Sequence, residues 1–191
     1  MKKLILASGS PTRKKLFVDA GLVFEIDPSS YKEDMSLQLS PEELAKYLSR
    51  GKAEAVANKY GQAVVVGADT FVVYQNKILG KPHTPDKAKE MLGMLSGKEH
   101  LVITGFTIVD TEDKKIISKA VITRVFFKNL TAKDINDYVA TGEPLNKAGS
   151  YGILESGGKF VEKIIGSKTN VAGLPMEEVL CALNEFGIAK S

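Results

Sequence analysis

Along the chain, apolar runs of strand length alternate with amphipathic stretches of helical period. Residues 4–7, Leu-Ile-Leu-Ala, have the length a buried strand needs and break at Ser8-Gly9-Ser10. Pro11 then opens a helix that Gly21 ends. Ser10 fits its N-cap, and Pro11 fits the first helical position, where a missing N–H costs nothing. A short extended segment over 22–26 leads into a polar loop, 27–39, that carries Glu33 and Asp34. Ser40-Pro41-Glu42-Glu43 is a capping box, so a second helix starts there. Leu44, Ala45, Leu48, Ala55 and Val56 form one stripe on it, and Lys52 falls inside that stripe. Ala63-Val64-Val65-Val66 predicts a central buried strand ending directly at Gly67-Ala68-Asp69-Thr70. Residues 71–74, the turn Gln75-Asn76-Lys77 and residues 78–79 then predict a hairpin.

Further on, Thr84-Pro85 caps a third helix with Ala88, Met91, Leu92 and Leu95 at core spacing, ended by Ser96-Gly97. Residues 101–109 and 115–127 predict a wide antiparallel hairpin around Thr111-Glu112-Asp113, with Lys119 and Arg124 on its solvated face. Thr131 caps a fourth helix carrying Ile135, Tyr138 and Val139, closed by Gly142. The glycine-punctuated segments 147–152 and 154–158 follow, then a strand over 160–165. Gly173-Leu174-Pro175 opens a last helix through Val179, Leu180, Leu183 and Phe186. Helices and strands interleave throughout, as in an α/β fold.

At 191 residues and 43% hydrophobic content the chain can bury a proper core, as one domain or as two lobes sharing a cleft. The net charge of +3 suits anionic substrates but lacks the dense Lys/Arg clustering of a dedicated nucleic-acid binder. Cys181 is the single cysteine, so no internal disulfide is possible, in keeping with a reducing cytosol. Met1-Lys2-Lys3 before the first apolar run mimics a signal peptide, yet that run is too short for one. No stretch reaches the length of a membrane span, so a soluble cytoplasmic protein is expected. His83 and His100 have no partners at zinc-ligand spacing, and no P-loop, dinucleotide fingerprint or nucleophile elbow occurs.

The residues hardest to explain as packing share a chemical theme. A strand, a polar loop and a helix start bring Ser8, Ser10, Arg13 and free amides to one point, a recipe for phosphate, although an ordinary capped helix has the same start. Lys52 on an apolar stripe is either a lysine snorkelling from its edge or an ammonium aimed into a cleft. Asp69 is expected at a strand end, where ligands sit in α/β sheets, with the hairpin returning Lys81 across from it. A helix-capping role for Asp69 is the plainer alternative, which the hairpin signal opposes. Arg13, Lys52 and Lys81 as cations, Ser8, Ser10 and Thr70 as hydroxyls, and Glu33 and Asp69 as carboxylates suit a polyphosphate, a divalent ion and an activated water. That combination is phosphoanhydride hydrolysis.

The first stretch, together with Gly67-Ala68-Asp69-Thr70, Gly80-Lys81-Pro82, Lys147-Ala148-Gly149 and Gly173-Leu174-Pro175, resembles the Maf family of nucleoside triphosphate pyrophosphatases over residues 4–186. The resemblance implies a single Maf-like domain over 1–191. Its fold would be α/β, a mixed twisted sheet with flanking helices and two lobes around a central cleft, similar to inosine triphosphate pyrophosphatases. The implied reaction splits a nucleoside triphosphate between its α and β phosphates, giving monophosphate and pyrophosphate, with Mg²⁺ or Mn²⁺ as cofactor. The implied role is removal of non-standard or modified nucleotides. Asp69 falls on the family's proton acceptor, Glu33 on its acidic loop residue, and Arg13, Lys52 and Lys81 on its basic positions; Glu33 and Asp69 are the expected metal ligands, and Ser8 and Ser10 join the cations as expected phosphate-binding residues. A homodimer is implied, with no membrane and no stable nucleic-acid partner. In the branch preferring dTTP and UTP, three specificity positions are Arg, Thr and Gln; the matching residues are Thr12, Thr70 and Leu154, of which Thr70 keeps the pattern. The branch acting on 7-methyl-GTP differs at the Thr70 position and has Glu at the Leu154 position, so pyrimidine triphosphates are the expected substrates. The competing reading is a regulator of cell division that binds nucleotide or nucleic acid without turning it over.

Overall fold

The computed structural model describes residues 2–188. Met1 of the Met-Lys-Lys start and residues 189–191, the end of the expected single domain, lie outside the described residues. In chain order the elements are β1 (Lys3–Leu6), α1 (Pro11–Asp19), β2 (Glu25–Ile26), α2 (Pro41–Ala57), β3 (Ala63–Tyr74), β4 (Lys77–Leu79) and α3 (Pro85–Leu95). There follow β5 (Glu99–Asp110), β6 (Ile116–Phe127), α4 (Ala132–Ala140), β7 (Val161–Ile165), α5 (Lys168–Val171) and α6 (Met176–Asn184). The strands make one mixed seven-stranded sheet in the order β2-β1-β3-β5-β6-β7, with β4 added beside β3. β1 runs parallel to β2 and β3, while β4 on β3 and β7 on β6 are antiparallel. The fold is α/β, as the alternation of strand and helix patterns predicts.

The helix starts follow from their caps. Ser10, Ser40, Thr84 and Thr131 each accept a hydrogen bond from the third helical backbone N–H, and Ser40/Glu43 completes the expected reciprocal box. Proline occupies the first turn of α1, α2 and α3.

The chain divides into two compact units: residues 1–69, 104–121 and 173–191 in one, and residues 70–103 and 122–172 in the other. In the first unit, Ile5, Ala7, Ala63, Val65 and Val109 of the sheet pack against Ala53, Val56 and Ala57 of α2. Strand alternation continues that face of β3 through Gly67 to Asp69. A Cβ at Gly67 would lie 2.6 Å from the Ala53 nitrogen and the Ser49 carbonyl oxygen, and one at Gly105 would lie 2.1 Å from the Ala45 carbonyl oxygen. The α2 backbone therefore rests directly on β3 and β5, an approach only glycine permits. Ser49, Thr107 and Ser118 join in a hydroxyl chain with both links 2.8 Å, satisfying the polar groups this approach buries.

The second unit has its own core of Val72, Leu92, Leu95, Val102, Val125, Phe127, Tyr138, Tyr151 and Phe160. His100 is buried there, 2.9 Å from the Tyr151 hydroxyl and edge-on to Phe127, a packing role rather than a ligand role. Met91 is packing too. Glu143 accepts from the Tyr138 hydroxyl at 2.7 Å and from the Ser156 and Gly157 backbone N–H groups, folding the glycine-rich segment into short 3₁₀ turns.

Three expectations need correcting. The strand expected to stop after Val66 continues to Tyr74, because 67–69 are themselves buried sheet residues and Val72, Val73 and Tyr74 pair with β4. Asp69 is therefore a mid-strand residue, not a strand-end one. The hairpin turn is the pair Gln75-Asn76, both at positive φ, with Lys77 already in β4. The short helix α5, capped by Ser167, was not expected from the sequence; its Asn170 donates to the Val102 carbonyl at 3.0 Å.

Candidate active site

The first unit assembles most of the predicted site. Asp69 lies at the far end of the β3 face that packs on α2, and Lys52 lies one residue before Ala53, where α2 presses closest on Gly67. The result is an ion pair between the Lys52 Nζ and the Asp69 Oδ1, with side-chain exposures of 14% and 11%. The same ammonium lies 2.7 Å from Glu33 Oε1, delivered by the 27–39 loop. Lys52 thus bridges two carboxylates, which settles its place in the stripe: it is not a snorkelling surface lysine.

Asp69 uses only one of its oxygens in that bridge. Its Oδ2 is buried with no hydrogen-bond partner among the described residues. Burial pushes the Asp69 carboxyl above its usual range, outweighing the opposing pull of Lys52 and Arg13, and the charge of Glu33 adds to the rise. A buried carboxylate with a free lone-pair face is a stronger base than a solvated one, and it lacks a partner that a ligand, water or cation could supply.

The loop after β1 has the predicted form. Ser8 is buried, and its Oγ accepts from the Ser10 backbone N–H at 3.3 Å and from Arg13 Nη1 at 3.2 Å. Ser10 Oγ accepts from the Arg13 backbone N–H, closing the N-cap of α1. Arg13 Nε donates to the Gly173 carbonyl at 2.8 Å, so the guanidinium is clamped between the β1 loop and the residue three before α6. Burial lowers its pKa while Asp69 and Glu33 pull it back up, which places Arg13 within electrostatic reach of both acids. Ser8, Ser10, Arg13, Glu33, Lys52 and Asp69 therefore form one connected group of cations, hydroxyls and carboxylates.

Thr12 is half-buried on the first turn of α1. The other three predicted positions belong to the second unit. Thr70 follows Asp69 on β3 and is half-buried, Lys81 lies exposed in the loop after β4, and Leu154 is 41% exposed in the glycine-rich segment. The sequence reading missed the Gly173 carbonyl as a partner of Arg13; its only signal was membership of the Gly-Leu-Pro motif. Among the described residues no group of three or more His, Cys, Asp or Glu is arranged as a metal site. No helix among the described residues is long and apolar enough to cross a membrane.

Comparison with known proteins agrees with this chemistry. A family model described as Maf-like protein matches residues 3–186. A dTTP/UTP pyrophosphatase of Geobacillus sp. (strain WCH70) is 46% identical over 187 residues, 98% of this chain and 100% of the relative. Proteins of the same name from Alkaliphilus oremlandii (strain OhILAs) and Bacillus cereus (strain G9842) are each 46% identical, over 98% of this chain and 98% and 97% of the relatives.

Proposed function

The chain belongs to the Maf-like family, and from that premise we propose that it is a nucleoside triphosphate pyrophosphatase acting on dTTP and UTP, releasing monophosphate and pyrophosphate. The observation that carries the reading is the Lys52 bridge between Glu33 and Asp69 with the unpartnered Asp69 Oδ2. Asp69 accepts the proton of the attacking water, and its raised pKa makes it the better base for that task. Lys52 keeps Asp69 ionised and, with Arg13 and Lys81, neutralises charge on the triphosphate. Ser8 and Ser10 donate to phosphate oxygens at the α1 N-terminus. Thr12, Thr70 and Leu154 remain the positions to which the resemblance assigns base selection, and the relatives' names favour a pyrimidine substrate.

The unpartnered buried Oδ2 of Asp69 suits a divalent cation, and Asp69 with Glu33 would hold Mg²⁺ or Mn²⁺ here. When bound it supplies countercharge to the phosphate oxygens. In the same reading the enzyme is a cytoplasmic homodimer, which light scattering coupled to gel filtration tests.

The decisive experiment is pyrophosphate release from a panel of triphosphates with and without Mn²⁺. Release from dTTP and UTP is expected, and Asp69→Asn is expected to lower turnover by about 10²- to 10⁴-fold with an unchanged circular dichroism spectrum. Nucleotide binding without any release would replace this reading with that of a non-hydrolysing regulator.

A further inference from the structure

Gly51 stands in the interior of α2, where glycine is about 1 kcal/mol worse than alanine. A Cβ there would lie 2.4 Å from Tyr31 Cζ and 2.5 and 2.7 Å from its Cε2 and Cε1. The tyrosine ring thus occupies the notch that the missing side chain leaves. Its hydroxyl has Tyr47, one turn earlier on the same helix, as its strongest polar influence, which pushes the phenol pKa up to about 12. Asp27 anchors the start of the 27–39 loop on Lys59 at 3.0 Å and Tyr60 at 3.1 Å, and Ser40 ends it at the α2 cap. Between those anchors Tyr31 is seated on α2, and two residues later Glu33 meets Lys52, the residue next to the notch.

We propose that Tyr31 is a positioning residue: its ring, seated in the Gly51 notch, holds the 27–39 loop so that the Glu33 carboxylate reaches Lys52. The inference rests on the reading of Glu33, Lys52 and Asp69 as the pyrophosphatase centre. A glycine that costs helix stability leaves the space the loop occupies, and the loop's acid is the beneficiary.

The test compares Tyr31→Ala, Tyr31→Phe, Gly51→Ala and the Tyr31→Ala/Gly51→Ala double variant. The first readout is steady-state kinetics on dTTP and UTP. The second, made without nucleotide or metal, is trypsin cleavage at the exposed Lys32–Glu33 bond, followed by mass spectrometry. Tyr31→Ala and Gly51→Ala are each expected to lower kcat by about 5- to 20-fold with KM changed by less than about threefold, and to speed cleavage at Lys32 several-fold. Tyr31→Phe keeps the ring and stays within about twofold of the parent. Gly51→Ala adds nothing in the Tyr31→Ala background, because the ring it displaces is already gone. Alanine favours the helix, so the Gly51→Ala thermal midpoint does not fall; a kcat loss without a midpoint loss separates position from fold. Unchanged kcat and cleavage in both single variants, additive losses in the double variant, or activity that simply follows the thermal midpoint would each overturn the proposal. Absence of pyrophosphate release from the parent enzyme would instead remove the reading of the centre, while the proteolysis readout still decides whether Tyr31 holds the loop.

Discussion

Lys52 is the residue on which the charge balance of the site turns. It lies against Asp69 and Glu33 together, and without it two carboxylates would face each other with no shared cation. Replacing it by glutamine removes the positive charge that opposes the burial-driven rise of the Asp69 pKa, so that pKa climbs further. The acid limb of the pH–rate profile of Lys52→Gln is therefore expected to move to higher pH, with turnover near neutrality down by roughly 10²-fold. A limb that stays in place would mean that Asp69 does not carry the proton. This much was legible in part from the sequence, because a lysine inside an apolar stripe demands a partner. That Glu33 and Asp69 are both its partners was not legible, since they come from a loop and a strand 19 residues before and 17 after it.

At the level of elements, the approach of α2 to β3 is what makes that ion pair possible. Gly67→Ala would put a Cβ 2.6 Å from the α2 backbone, with no flexible side chain to give way, and lift the helix off the strand. A loss of about 1–3 kcal/mol in denaturant unfolding is expected, accompanied by a drop in kcat as Lys52 is drawn from Asp69. The β3–β4 hairpin makes the opposite prediction. Gln75 and Asn76 both hold positive φ in its two-residue turn, a conformation that costs glutamine more than glycine. Gln75→Gly is expected to raise stability by a few tenths to about 1 kcal/mol, read as a higher denaturant midpoint at unchanged slope. The starts of α1 to α4 and the existence of this hairpin could be read in advance because caps, prolines and turn residues act through neighbours in the chain. The length of β3 could not, because glycine and aspartate are poor strand formers locally, and it is burial of 67–69 inside a sheet flanked by β1 and β5 that keeps this stretch extended.

Over the whole molecule, one source of acid sensitivity lies in the second unit. His100 is sealed beneath Tyr151 and Phe127, and burial holds its pKa down at about 4, against about 6.5 in an unfolded chain. Between those values the unfolded state binds a proton that the folded state refuses, so stability is full above pH 6.5 and falls as the pH drops towards 4. The loss amounts to on the order of 3 kcal/mol. Urea unfolding at pH 7.5 and 4.5 is expected to show it in the parent and to show a smaller difference in His100→Gln. Equal differences in the two proteins would locate the acid sensitivity elsewhere. Sequence alone sufficed for the starts of α1 to α4, for most strand segments, and for the presence of cations, hydroxyls and carboxylates suited to phosphate chemistry, because those properties depend on local pattern and residue type. The tertiary structure alone decided that Lys52 bridges Glu33 and Asp69, that Arg13 is clamped by Gly173, and that one oxygen of Asp69 is left without a partner. Those facts depend on how closely backbones approach at Gly67 and Gly105 and on contacts between residues far apart in the chain, which no local pattern encodes.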